Sequence, residues 1–217
     1  MTHPLIPELR RARVVPVVRT STAALAATAC QWLREAGMTI LEITLTIPDA
    51  LPLIRELAAE PGLLIGAGTV PDARMAEACL DAGAKFLVTP WTDPEVIRVA
   101  REAGACAIPG AMTPTEIRAA LAAGADVVKI FPASSAGGPA HIKAIRAVFP
   151  DAVFCPTGGV DAANAPAYLA AGAAFGRRHQ YAVLALLQQH DRAAEPEVEI
   201  GDRLRRLQPG EHAGIVQ

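Results

Sequence analysis

Apolar runs of strand length punctuate this chain at residues 14–18, 40–44, 63–67, 86–89, 106–108, 127–131 and 153–155, roughly every 20–25 residues. Ala-, Leu-, Glu- and Arg-rich segments with helical spacing lie between them. Strands that read as unbroken apolar runs are buried on both faces, which requires parallel pairing with helical crossovers. The helix starts are marked by Ser21-Thr22, Pro48-Asp49, Pro71-Asp72, Asp93-Pro94, Thr113-Pro114 and Asp161. Helix ends are marked by Ala-Gly at Gly37, Gly83, Gly104, Gly124 and Gly172. An eighth strand is expected near 173–176, and the even repeat points to an α/β fold, a (β/α)8 TIM barrel, rather than a doubly wound sheet. Residues 1–190 then form one domain and 191–217 a polar, frayed tail. In a barrel, chemistry gathers at the C-terminal ends of the strands.

Bulk properties narrow the function classes. Net charge is −2 and gives no reason to expect a nucleic-acid partner. No apolar stretch is long enough to span a bilayer, and the N-terminus lacks a signal-type core. Cys30, Cys79, Cys106 and Cys155 are scattered and form no Cys-x-x-Cys pair. They read as packed, reduced thiols of a cytoplasmic protein.

Charge within the apolar runs carries the functional signal. Of the 20 basic residues only Lys85, Lys129 and Lys143 are lysines, yet Lys129 sits inside Asp126-Val-Val-Lys-Ile-Phe-Pro132. Burial penalises an ammonium and lowers its pKa, and the neutral amine is a nucleophile toward ketones. Arginine cannot serve, because it stays protonated. The competing reading is a lysine paired with a carboxylate or a phosphate. Glu42, in Ile-Leu-Glu-Ile, is a second charge in an apolar run and shares a face with Thr44 and Thr46. It suits proton transfer at a Schiff base, or a purely structural pair with Lys129. Gly66 and Gly68 bring backbone close to the site, and Thr69 offers a hydroxyl. Thr157-Gly158-Gly159 ahead of Asp161 suits an anion cradle, or simply a turn. Arg19 leaves the first strand where it would clamp a carboxylate or phosphate, or lie solvated.

In order, "VVPVVR", "ILEITLTIPDA", "IGAGTV", "FLVTP", "AIPGAMTPTE", "VVKIFPA" and "FCPTGGV" resemble the 2-keto-3-deoxy-6-phosphogluconate (KDPG) aldolases, over residues 10–175. The resemblance implies a metal-free, cofactor-free class I aldolase, usually a homotrimer. Its substrate is a keto-acid phosphate, KDPG, cleaved to pyruvate and glyceraldehyde 3-phosphate. 4-Hydroxy-2-oxoglutarate and 2-keto-3-deoxy-6-phosphogalactonate are the rival substrates. It implies Lys129 as the Schiff-base residue, Glu42 as the acid/base and Thr69 at the pyruvyl carboxylate. Pro90 and Phe131 would wall the pocket, and Thr157, Gly158 and Gly159 would stand at the phosphate end. Some members carry an Arg for that carboxylate where this chain has Thr46, which gives Arg19 more weight.

The resemblance stops after Phe175. The family's Gly-x-Gly-Ser/Thr turn, which completes the phosphate cradle, is replaced by Gly176-Arg-Arg-His-Gln-Tyr181. One reading is a divergent anion site built on arginines. The other is a one-base insertion in the gene. The codons GGG-CGT-CGG-CAC-CAA-TAT are permitted for this stretch. Deleting one G and borrowing the first base of the Ala182 codon gives Gly-Val-Gly-Thr-Asn-Met. With the altered turn, weakened phosphate recognition is expected. The altered turn also keeps open a non-enzymatic reading, an inactive barrel used for binding or assembly.

Overall fold

The computed structural model describes residues 2–161 and 163–179, with backbone only for the last three. The strands are β1 (Val14–Val18), β2 (Ile40–Thr44), β3 (Leu64–Gly68), β4 (Phe86–Val88), β5 (Cys106–Ile108), β6 (Gly110–Ala111), β7 (Val128–Ile130), β8 (Phe154–Pro156) and β9 (Gly176–His179). The helices are α1 (Ile6–Ala12), α2 (Ala23–Glu35), α3 (Ala50–Ala58), α4 (Ala73–Asp81), α5 (Pro94–Glu102), α6 (Pro114–Ala123), α7 (Gly138–Val148) and α8 (Ala165–Ala170).

Every strand pair is parallel. One ladder runs β5-β4-β3-β2-β1-β9 and a second runs β6-β7-β8. β5 and β6 are the two halves of one stave, broken at Pro109, whose carbonyl still accepts from Lys129 N (2.9 Å). The circle closes where Ala174 N donates to Phe154 O (2.9 Å), just before β9. Counted this way the barrel has eight staves, as the repeat predicts.

Two features depart from the sequence-based expectation. The eighth strand lies at Gly176–His179 rather than near 173–176. Residues 173–175 are apolar enough to read as strand, but Phe175 is spent filling the barrel's base. Pairing with β1 starts only at Gly176, opposite Val14. The second departure is α1, which the strand–helix repeat does not announce. Its Ile6 and Leu9, with Leu5, pack on Val15, Ile40, Phe86, Cys106, Val127 and Phe175. These residues stand at or just before the strand starts, so α1 plugs the N-terminal end of the barrel and leaves the opposite end for chemistry.

The local signals behave as their chemistry requires. The side chains of Thr22, Asp72, Asp93 and Thr113 each accept a bond from a first-turn amide, and Thr113 with Glu116 forms a full capping box. Asp49 precedes α3 without a side-chain cap bond. Asp161 serves the turn before α8, accepting from Ala163 N and Asn164 N (both 2.9 Å), and the helix begins only at Ala165. The glycines expected to end helices, 37, 83, 104, 124 and 172, all have positive φ. The helical spacing at 181–190 and the tail at 191–217 lie outside the described residues.

Strand alternation sorts the core into two shells. Leu41 and Ile43 of β2 face the helices with Leu33, Leu53 and Ile54, whereas Ile40 faces the barrel axis. On β7, Val128 and Ile130 face Ile117, Ile142 and Ile145, whereas Val127 faces the axis. Glu42, two residues from Ile40, and Lys129, two from Val127, therefore face the same interior.

Candidate active site

Lys129 lies at the centre of β7, between Gly110 of β6 and Cys155 of β8 in the ladder. It is only 5% exposed. Its Nζ donates to Thr89 O (3.3 Å) and stands 4.5 Å from the centre of the Phe131 ring. A carbonyl and an aromatic face thus stand against the amine. Burial pushes the amine down from 10.5 to about 8, and the positive charge of Arg19 adds to the fall, against an opposing contribution from Cys155. A lowered pKa, which leaves about a tenth of the amine neutral at pH 7, is the property a carbonyl-attacking amine needs.

Glu42 is 1% exposed and sits in β2 opposite Val17 and Gly66. A glycine two residues further along β3 makes room for it: a Cβ built on Gly68 would collide with Glu42 Oε1. Gly66 makes room for the Phe86 ring in the same way. We expect Gly68→Ala to displace the Glu42 carboxylate and lower turnover by ~10²-fold or more with the fold intact. Steady-state kinetics beside a thermal melt checks this, and a wild-type rate would contradict it.

Arg19 follows β1 at the same end of the barrel and is half-buried. Its Nη2 donates to Thr69 Oγ1 (3.0 Å). Its Nε is buried with no hydrogen-bond partner among the described residues, and burial lowers its pKa. An orphaned guanidinium donor beside a bonded one is a natural seat for an anion. Thr69 has φ of 58°, left-handed for a β-branched residue. Such strain tends to collect at functional sites.

The remaining expected residues are Pro90, Phe131, Thr157, Gly158 and Gly159. Pro90 packs its backbone against Gly110, at a distance only a glycine tolerates. Phe131 contacts the position of Gly158, where a Cβ would lie 3.3 Å from the ring. Gly158 and Gly159 are successive left-handed residues (φ 86° and 76°). The carbonyls of Thr157, Gly158 and Gly159 accept from Ala133 N, Ser134 N and Asn164 Nδ2. The Thr157 hydroxyl is fully buried and lies 3.9 Å from Cys155 Sγ, inside the barrel rather than on the rim.

Sequence reasoning did not single out two neighbours of Lys129, the Thr89 carbonyl and Cys155. Thr89 ends the run Phe-Leu-Val-Thr, so its position at a strand end was a usable signal. Cys155 is two residues before Thr157 and shares its face, but only the β7–β8 register puts it beside Lys129. Its thiol is pushed up to about 12 by burial, as a packed, unreactive cysteine should be. All four cysteines are free and buried.

Known proteins resemble this chain in sequence and fold. The chain matches the family described as KDPG and KHG aldolase over residues 5–193. It is 43% identical over 162 residues, 74% of each chain, to a 2-dehydro-3-deoxy-phosphogluconate aldolase of Pseudomonas aeruginosa. It is 45% identical over 141 residues to a probable 2-dehydro-3-deoxy-6-phosphogalactonate aldolase of Rhizobium meliloti, over 64% of this chain and 66% of the relative. The structure also superposes on the KDPG aldolase of Legionella pneumophila holding pyruvate as a covalent carbinolamine. That match has a TM-score of 0.80 and 28% identity over 94% of this chain and 98% of the other. With a family match over most of its length and a relative 43% identical over 74% of the chain, the chain belongs to the KDPG and KHG aldolase family.

Proposed function

We propose that the protein is a class I aldolase that cleaves KDPG into pyruvate and glyceraldehyde 3-phosphate through a Schiff base on Lys129. The observation that carries this reading is an interior lysine seated on the Thr89 carbonyl and the Phe131 ring, its pKa lowered to about 8 by burial. The neutral Nζ adds its lone pair to C2 of the substrate, and the ketone oxygen takes a proton to give a carbinolamine. Loss of that oxygen as water leaves an iminium. Glu42 then removes the C4 hydroxyl proton. The C3–C4 electron pair flows into the iminium, giving an enamine on Lys129 and free aldehyde. Glu42 returns a proton to C3, and water hydrolyses the pyruvyl iminium. The iminium on Lys129 is the electron sink, so the scheme calls on no metal or cofactor.

Arg19 and Thr69 hold the pyruvyl carboxylate in this scheme, and Pro90 and Phe131 wall the chain of carbons. The backbone of Gly158 and Gly159, with Thr157 behind it, stands at the phosphate end. A second reading has its own support. The Rhizobium relative is named for the galactonate stereoisomer, so the C4 epimer is the closest rival, with 4-hydroxy-2-oxoglutarate the non-phosphorylated one. Pyruvate release followed by a coupled lactate dehydrogenase assay on the three substrates tests this. KDPG is expected to give the highest kcat/KM. A higher value for the galactonate isomer would move the assignment to that substrate, and no pyruvate from any would reject the aldolase reading. By the same family resemblance we infer a homotrimer working in the cytoplasm, which light scattering and fractionation would check.

A further inference from the structure

A side chain ties the end of β1 to its neighbour β2. Past Thr44 the β2 chain turns toward β3, and Leu45 N donates to Gly68 O (2.8 Å). The pairing of β1 with β2 ends at Val18 and Ile43. The carbonyl of Val18, the last residue of β1, is answered by a side chain: Thr44 Oγ1 donates to it at 3.0 Å, and Thr44 is fully buried. A carbonyl can only accept, so this bond consumes the Thr44 proton. The contact between Thr44 Oγ1 and Thr46 Oγ1 (3.0 Å) must then run from Thr46 to Thr44. The hydroxyl chain Thr46, Thr44, Val18 O has one possible direction.

The Val18 carbonyl belongs to the peptide plane that leads into Arg19. Fixing that plane fixes where the Arg19 side chain departs, and Arg19 in turn reaches Thr69 at the end of β3. Three adjacent strand ends are thus tied by side chains.

We propose that Thr44 is a positioning residue, whose hydroxyl holds the Val18–Arg19 peptide so that the Arg19 guanidinium meets the substrate's carboxylate. Thr44 touches no reacting atom, and its effect passes through Arg19. The inference rests on the Schiff-base reading above. It predicts a change confined to carboxylate recognition, which general loosening of the barrel would not produce.

The test is borohydride trapping of pyruvate against pyruvamide, which keeps the ketone and lacks the carboxylate. Wild-type protein should trap pyruvate at lower concentration than pyruvamide. In Thr44→Val the half-saturating pyruvate concentration should rise ~5- to 10-fold, the loss of about one buried hydrogen bond. The value for pyruvamide should stay within about twofold on the same scale, and Thr44→Ser should restore the preference. Thr44→Ala serves equally if the valine variant does not fold. Equal weakening for both ligands, or no change for either, overturns the proposal while leaving the aldolase reading standing. Absence of any adduct in the wild type overturns both.

Discussion

Lys129→Met should abolish aldol cleavage, lowering kcat by at least ~10³-fold, while making the protein more stable. Methionine fills a similar volume without the ammonium. Burial lowers the amine from 10.5 to about 8 in the folded protein, so burying it charged costs on the order of 3 kcal/mol at neutral pH. The sign is specific. Below about pH 8 folded and unfolded chains both carry the proton, and the penalty is fully present. Between about 8 and 10.5 the folded chain has released a proton that the unfolded chain still holds, so wild-type stability rises with pH relative to the variant. Denaturant melts of both proteins across that window should converge toward high pH. The same titration governs rate: kcat/KM should climb about tenfold per pH unit toward pH 8 and then level off. Since Arg19 adds to the depression, Arg19→Leu should move that limb to higher pH. An unmoved limb would mean that the two charges are not coupled.

Glu42→Gln should leave the fold and the lysine in place and lower kcat by ~10²- to 10⁴-fold, the usual share of a positioned acid/base. The amide fits the space that Gly68 leaves beside the carboxylate but cannot take the C4 hydroxyl proton. The defect should lie in chemistry more than in binding, with kcat falling further than KM changes. A variant with near-normal kcat would assign the proton transfer elsewhere.

Most of the architecture was legible because parallel strands buried on both faces leave unbroken apolar runs, and capping residues and Ala-Gly ends bound the helices. The sequence was less informative where burial has a different cause. The stretch 173–175 looks like strand because Phe175 is buried, yet it is buried in the barrel's base, and β9 begins later. Helix α1 is a single seven-residue plug whose apolar positions answer to the barrel's end. The fifth stave is split by Pro109 into β5 and β6, which only pairing with different neighbours reveals.

The same division holds in the site. Lys129 and Glu42 stood out because a charge in an apolar run is expensive and needs a reason. What surrounds Lys129 depends on strand register between segments far apart in the chain. The Thr89 carbonyl comes from 40 residues away, and Cys155 arrives by the pairing of β7 with β8. The Arg19–Thr69 bond likewise joins residues 50 apart. The altered sequence at 176–181 keeps its two readings. Sequencing the gene across its G-rich codons separates them, since a nucleotide run incompatible with GGG-CGT-CGG-CAC-CAA-TAT excludes the frameshift.

The most direct test of the central claim is borohydride reduction of the protein with pyruvate, followed by mass mapping of the peptides. The account predicts a reduced pyruvyl adduct on the peptide that carries Lys129, and none in Lys129→Met. An adduct on Lys85 or Lys143 instead, or none in folded wild-type protein, would contradict it.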